Sequence, residues 1–145
     1  MRKLLVLLLF ILGVNSVFSQ EWQTNFEEAK SQAAKEHKSI VLIFSGSDWC
    51  APCIKLEKQI LETEQFKSFA NERAVLVRAD FPRKKQNQLD ENLQNQNKHL
   101  AEMYNQQGYF PLVVVMSPEG KVLGQAGYEK TSPEAYVAKL KGFMK

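Results

Sequence analysis

The stretch around the two cysteines constrains the fold of this chain more than any other. An apolar, mostly β-branched run, Ile40 to Phe44, leads into a Gly/Ser turn and then into Trp49-Cys50-Ala51-Pro52-Cys53. A continuous apolar run of this kind predicts a strand that is covered on both faces. The apolar residues that follow have helical spacing, so a helix is expected directly after the turn. Both cysteines of the protein therefore stand where a buried strand passes into a helix.

The start of a helix favours a negatively charged group. The first backbone N–H groups have no helical partner and the dipole is positive there, so a thiolate at Cys50 is stabilised. Thiolates attack disulfides, and a lowered thiol pKa raises the fraction that can react at neutral pH. Cys53 lies one helical turn further on and can close a small ring with Cys50. Pro52 fits the first turn, where its missing N–H would be unpaired anyway.

This motif resembles the active site of the thioredoxin superfamily. The tryptophan, the internal proline, the strand before and the helix after make the likeness more specific than a bare CxxC. The resemblance covers the chain from about residue 21 to residue 145. It implies an α/β protein with the thioredoxin fold, in which helices flank both faces of a central mixed β-sheet. It also implies an exported thiol:disulfide oxidoreductase of the protein-disulfide reductase or isomerase type.

The hydrophobic pattern along the chain predicts helix, strand, helix, strand, helix, strand, strand and helix. Thr24 is expected to cap the first helix, and Ile54 and Met103 are expected to contact the core. The expected elements are a helix from about Asn25 to Glu36, a strand at 40–44, a helix or helix pair ending near Asn71, a strand at 74–79, a helix from roughly Gln88 to Gln106, a hairpin of strands at 112–116 and 121–124, and a final helix from about Pro133.

The resemblance assigns roles to the cysteines and to the residues around them. Cys50 would be the nucleophile, within reach of solvent, and Cys53 would resolve the mixed disulfide. The pair itself would be the redox group, with no other cofactor and no metal. The oxidising relatives have a histidine between the cysteines, and the dipeptide Ala51-Pro52 lacks it, which favours reduction or isomerisation. Trp49, Ala51, Pro52 and Asp48 are expected to support the active site.

Two further expectations concern positions away from the motif. In the family, a cis-proline facing the CxxC and the residue before it shape the substrate groove, and Pro111 and Phe110 match by position. Thioredoxins also carry a buried aspartate and an accompanying lysine for proton transfer to the resolving cysteine. Here those positions are apolar, at Val41 to Phe44 and near Leu76. Asp48, the nearest acidic residue by sequence, is therefore the hypothetical proton-transfer group.

The first nineteen residues have the pattern of a secretory signal peptide: two cations, an apolar stretch from Leu4 to Leu12, and a small residue at Ser19. The stretch is short for a membrane span, although an uncleaved anchor is the alternative. Residues 20–145 are then expected to form one thioredoxin-like domain. We interpret the protein as exported to the bacterial periplasm, and we expect no stable membrane insertion once the signal is removed. Disulfides persist in such compartments.

The expected partners are exported proteins with disulfides and an upstream electron donor. The net charge of +3 falls to about +1 without the signal, so nucleic acid is not expected, and the domain is expected to be a monomer. The cations at 83–85 are expected to be solvated surface, with docking of an acidic partner as the alternative.

Other uses of the cysteine pair remain open from the sequence. A structural disulfide would close too short a ring to constrain the unfolded chain much. A closed zinc site needs four ligands, and only His37 and His99 remain, both distant in sequence. Covalent haem would need a histidine at position 54, which is isoleucine. Handling of Cu(I) by two thiolates, or a thioredoxin-like binding module without catalysis, are the alternatives to the enzyme.

Overall fold

The computed structural model describes residues 20–145, so the expected signal peptide at 1–19 lies outside the described residues. Five strands and five α-helices make up this part of the chain, with one π-helical and one 3₁₀ segment. In order they are β1 (Trp22–Gln23), α1 (Phe26–Glu36), β2 (Ser39–Ser45), α2 (Ala51–Leu56), the π-helical segment (Glu57–Leu61), α3 (Glu64–Arg73), β3 (Ala74–Asp80), the 3₁₀ turn (Lys85–Asn87), α4 (Glu91–Tyr104), β4 (Leu112–Met116), β5 (Val122–Ala126) and α5 (Pro133–Phe143).

The five strands form one mixed sheet in the order β1-β3-β2-β4-β5. β2 runs parallel to β3 and antiparallel to β4, and β4 and β5 form the expected hairpin. The prediction that the apolar run at 40–44 forms the central strand is confirmed. β1 is an additional strand that the sequence does not predict, since two residues cannot show a strand pattern.

Successive residues of β2 point to opposite faces of the sheet, which gives two separate apolar cores. Val41 and Ile43 belong to one core, together with side chains from α2, the π-helical segment, α3 and α5. Ile40, Leu42 and Phe44 belong to the other, with side chains from α1 and α4. Helices on both faces of a mixed sheet were expected, and the structure confirms this architecture. Because both faces of the central strand are covered, every residue of the run at 40–44 is apolar.

The helix that begins at the cysteines differs from the expected one. After α2 the backbone forms a π-helical segment, which has a wider turn than an α-helix. Ile60 and Leu61 are both buried there. The prediction that Ile54 contacts the core is wrong, because Cys53 and Leu56 take the buried positions of α2 and leave Ile54 40% exposed.

Smaller corrections concern the helix ends and one side chain. Asn25, not Thr24, caps α1: its side-chain oxygen accepts hydrogen bonds from the backbone N–H groups of Glu27 and Glu28. α4 is shorter than expected at both ends. Met103 was expected in the core but is 48% exposed, since it lies on the outer face of α4.

Candidate functional site

Cys50 and Cys53 form a disulfide at the start of α2. Cys50 is the N-cap residue of this helix, and its sulfur accepts a hydrogen bond from the backbone N–H of Cys53 at 3.3 Å. Such a donor stabilises a thiolate once the pair is reduced. Ala51 and Pro52 are exposed on the first turn.

Both cysteines are more covered than expected from the sequence. Cys50 is 4% exposed and Cys53 is 5% exposed. The expectation of a sulfur open to solvent at Cys50 therefore does not hold for the disulfide form. Because little of Cys50 is open to solvent in this form, the residues packed around it limit how a partner disulfide can approach.

Trp49 is fixed beside the cysteines by contacts on several sides. Its indole Nε1–H donates a hydrogen bond of 2.7 Å to the carbonyl oxygen of Phe81. Its ring centroid lies 5.4 Å from that of Phe110, which in turn packs 5.4 Å from the ring of Phe81. Gly46 lies so close that a Cβ there would overlap the indole ring. Trp49, Phe81 and Phe110 thus form an aromatic cluster next to the disulfide.

The segment before β4 completes this side of the site. The peptide bond between Phe110 and Pro111 is cis, and Pro111 is buried at the entry to β4. Gly127, just after β5, lies behind it, where a Cβ would stand 3.8 Å from the carbonyl oxygen of Pro111. The hydroxyl of buried Tyr136 donates to the carbonyl oxygen of Gly127 at 2.8 Å. Phe110 therefore packs against Trp49, and Gly127, held by Tyr136, lies next to the backbone of Pro111.

Asp48 holds a loop and is poorly suited to proton transfer. One carboxylate oxygen accepts a hydrogen bond from the backbone N–H of Arg83 at 2.9 Å. The other accepts from the backbone N–H of Lys84 at 2.9 Å and from the side-chain amide of Asn87 at 3.0 Å. The hydrogen bonds from Arg83 and then Asn87 keep the pKa of Asp48 below its usual value. The hypothesis that Asp48 replaces the missing aspartate is therefore not supported, because its carboxylate accepts three hydrogen bonds from the loop after β3 and Asp48 does not line the cavity that contains Cys53.

We expect the Asp48→Ala variant to loosen this loop. The amide hydrogens of Arg83 and Lys84 should exchange about tenfold faster, because hydrogen bonds to a charged acceptor are the stronger kind. Hydrogen exchange at neutral pH measures this, with the amides of β2 as internal control. Because the folded-state pKa of Asp48 is depressed, the wild-type loop should keep its protection at pH 4. Protection should fall only when the pH drops below that pKa. Unchanged loop protection in the variant would contradict this account.

An ion pair that is not predicted from the sequence lies beside Cys53. Glu57 is one helical turn after Cys53, and its backbone N–H donates to the Cys53 carbonyl. Its two carboxylate oxygens lie 2.8 and 3.0 Å from the guanidinium nitrogens of Arg78 on β3. Cys53, Glu57 and Arg78 line a common cavity of about 190 Å³. One charged residue in the otherwise apolar run at 74–79 was the signal that could have indicated this pair.

The histidines lie away from the cysteines in this arrangement. His37 ends α1 in the left-handed conformation. His99 is exposed, and its Nδ1 lies 3.7 Å from Oε2 of Glu102. Among residues 20–145, no group of three or more His, Cys, Asp and Glu side chains is placed to hold a metal ion. In the same range, no helix combines the length and the apolarity that a membrane crossing requires.

Comparison with known proteins extends the description of this site. A family model described as thioredoxin-like matches residues 21–118. The disulfide bond reductase DsbH of Chlamydia pneumoniae is 39% identical over 125 residues, which are 86% of this chain and 73% of that protein. A solved structure of a DsbH oxidoreductase is similar with a TM-score of 0.81 and 37% identity, covering 88% of this chain and 85% of that one. A thioredoxin from Thermus thermophilus, at 14% identity, shares the fold with a TM-score of 0.65 over 88% of each chain.

Proposed function

This chain belongs to the thioredoxin-like family and is a thiol:disulfide oxidoreductase, and we propose that it reduces or isomerises disulfides of exported proteins through Cys50 and Cys53. The observation that carries the proposal is the Cys50–Cys53 disulfide at the start of a helix, next to an aromatic cluster. The similarity to a named disulfide bond reductase favours the reducing direction.

The proposed reaction starts from the reduced pair. The Cys50 thiolate attacks one sulfur of a partner disulfide, which forms a mixed disulfide and releases the other partner sulfur as a thiolate that takes up a proton. Cys53 then loses its proton and attacks the Cys50 sulfur. The second partner sulfur leaves and is protonated. The partner has gained two electrons and two protons, and Cys50 and Cys53 are left as a disulfide that an upstream donor must reduce.

We infer that Glu57 accepts the proton of Cys53 in the second step. Its carboxylate lines the same cavity as Cys53, and Arg78 holds it in place. Each carboxylate has about four lone-pair sites, so the ion pair leaves room for a further hydrogen bond. A cavity of about 190 Å³ has space for a bridging water, whose share of liquid volume is about 30 Å³. Glu57 thus takes the part that the missing strand aspartate plays in thioredoxins.

The Glu57→Gln variant should resolve mixed disulfides about ten- to a hundredfold more slowly at neutral pH, since positioned general bases contribute at least this much. The attack by Cys50 should be affected much less, and the deficit should shrink as hydroxide replaces the carboxylate at high pH. Single-turnover kinetics with a fluorescent disulfide peptide separate the two steps.

The matched control for this prediction is Glu62→Gln, which removes another carboxylate from the lining of the same cavity. Glu62 has no ion pair among residues 20–145. Equal slowing in both variants, or slowing of both steps alike in Glu57→Gln, would contradict the assignment of Glu57.

We also propose that the protein acts after export, in the periplasm of a bacterium. The pattern of residues 1–19 supports this, as does the use of a single CxxC pair where partner disulfides persist. The partners would be exported proteins with disulfides and a redox protein that returns electrons. The near-neutral domain gives no reason to expect nucleic acid, and we expect a monomer.

The Cys53→Ser variant tests the proposed function directly. It can form the mixed disulfide but cannot resolve it, so covalent complexes should accumulate when the full chain is expressed in bacteria. Non-reducing gels and mass spectrometry identify the trapped proteins and their compartment. The variant with serine at both cysteines is the control for background. An empty trap would instead support a binding module that does not exchange disulfides.

A further inference from the structure

The loop after β3 carries three consecutive cations, and the first of them lies against the aromatic cluster. Arg83, Lys84 and Lys85 are all exposed. In the part of the chain that the structure describes, none of their side chains forms an ion pair or a hydrogen bond with another side chain. Their charges are therefore available to a binding partner.

Arg83 departs from the expectation of simple solvated surface. Its guanidinium carbon lies 3.7 Å from the centroid of the Trp49 ring, and Trp49 directly precedes Cys50. A guanidinium over an aromatic ring is attracted by the electrons of the ring face. Arginine has five N–H donors in a planar fork that matches a carboxylate. The ring thus fixes the position of the charge, and its N–H donors remain free for an acceptor on another molecule.

The carboxylates of Asp48 and Asp80 near this loop already accept hydrogen bonds from neighbouring segments. Each oxygen of Asp48 accepts at least one hydrogen bond from the loop, and both oxygens of Asp80 accept hydrogen bonds from Ser47. The contact of Arg83 with Asp48 is made by its backbone N–H, so the side chain is not needed to hold the loop. The loop is therefore held in place without these three cationic side chains, which remain exposed.

We propose that Arg83, with Lys84 and Lys85 beside it, binds an acidic side chain of the partner protein close to the cysteine that reacts with Cys50. The proposal rests on the proposed function and adds a substrate preference to it: partner segments with Asp or Glu next to the disulfide react faster. The position of Arg83 over Trp49 carries the inference, because it holds a cation against the residue that directly precedes Cys50.

Two synthetic peptides test the preference. They contain the same disulfide ring, flanked by Asp and Glu in one and by Asn and Gln in the other. Second-order rates of peptide reduction by the reduced wild-type protein should be about threefold higher for the acidic peptide, within the range of exposed ion pairs. The ratio should fall towards one at high salt, because screening weakens exposed charge pairs.

Substitutions locate the effect on the molecule. Arg83→Gln should bring the ratio of acidic to neutral rates close to one, and Arg83→Lys should keep part of it, since the charge remains but the fork is lost. The matched control is Lys121→Gln, which removes the same charge from the hairpin at the opposite end of the sheet. It should leave the ratio at about three.

Each outcome decides a separate question. Equal rates for the two peptides with wild-type protein would overturn the preference while leaving the proposed function intact. A preference that survives in Arg83→Gln, or that disappears equally in Lys121→Gln, would overturn the assignment to Arg83. If the wild-type protein reduces neither peptide, the proposed function fails, and the preference fails with it. A circular dichroism spectrum shows that each variant is folded before the rates are compared.

Discussion

The Cys50→Ser variant should lose disulfide reductase activity by about a thousandfold or more. A serine hydroxyl cannot form a mixed disulfide, so the variant lacks the nucleophile of the first step rather than a group that assists it. The assay is the reduction of insulin with dithiothreitol, in which the wild-type protein and the variant are compared at equal concentration.

The same substitution should leave the fold intact, which makes the activity loss interpretable. Position 50 is the N-cap of α2, and serine is among the preferred residues at that position. The lost disulfide closes a short ring and contributes little entropy. Cys53→Ser is the matched control, since it also removes the disulfide but retains Cys50 and should still form covalent adducts. Activity of Cys50→Ser at the wild-type level would refute the role of Cys50.

The Phe44→Ala variant should lower the free energy of unfolding by about 3–5 kcal/mol, the usual cost of removing a buried phenylalanine ring. Phe44 is fully buried in the central strand. Its ring stacks 6.4 Å from that of Phe81, whose backbone carbonyl holds the indole of Trp49. The resulting cavity therefore lies below the active-site turn. Urea unfolding of the oxidised protein gives the change.

Leu123→Ala is the matched control for that measurement. Leu123 is also a large apolar residue in a strand, but it is 36% exposed. Its replacement should cost less than about 1 kcal/mol, because little apolar surface is lost from the core. A loss below about 1 kcal/mol for Phe44→Ala as well would show that the core relaxes around the cavity and that Phe44 is not a principal contact.

The elements with a strong local signal were predictable from the sequence. The run at 40–44 is short, continuously apolar and mostly β-branched, which favours a strand covered on both sides, and it leads directly to the cysteines. The position of Phe110 and Pro111 followed from resemblance to a family, whereas no local pattern indicates that this peptide bond is cis. The π-helical segment could not be predicted, because no residue pattern at 57–61 distinguishes its wider turn from that of an α-helix.

The less predictable parts of the site depend on contacts between distant segments. Glu57 and Arg78 are 21 residues apart and meet only because the chain crosses from α2 to a parallel strand. Asp48 was assigned by proximity in sequence to Cys50, but its partners are more than thirty residues away. Distance along the sequence is therefore a poor guide to which carboxylate lies close enough to a cysteine to accept its proton.

The hydrogen bonds by which Asp48 holds the loop after β3 have an evolutionary consequence. Because two of its three bonds go to main-chain N–H groups, the anchoring tolerates any residue except proline at positions 83 and 84. Mutation can thus change the exposed side chains at positions 83 and 84 without altering the surroundings of the Cys50 and Cys53 sulfurs. Descendants of one ancestral protein could acquire different clients in this way, without having to rebuild the catalytic pair.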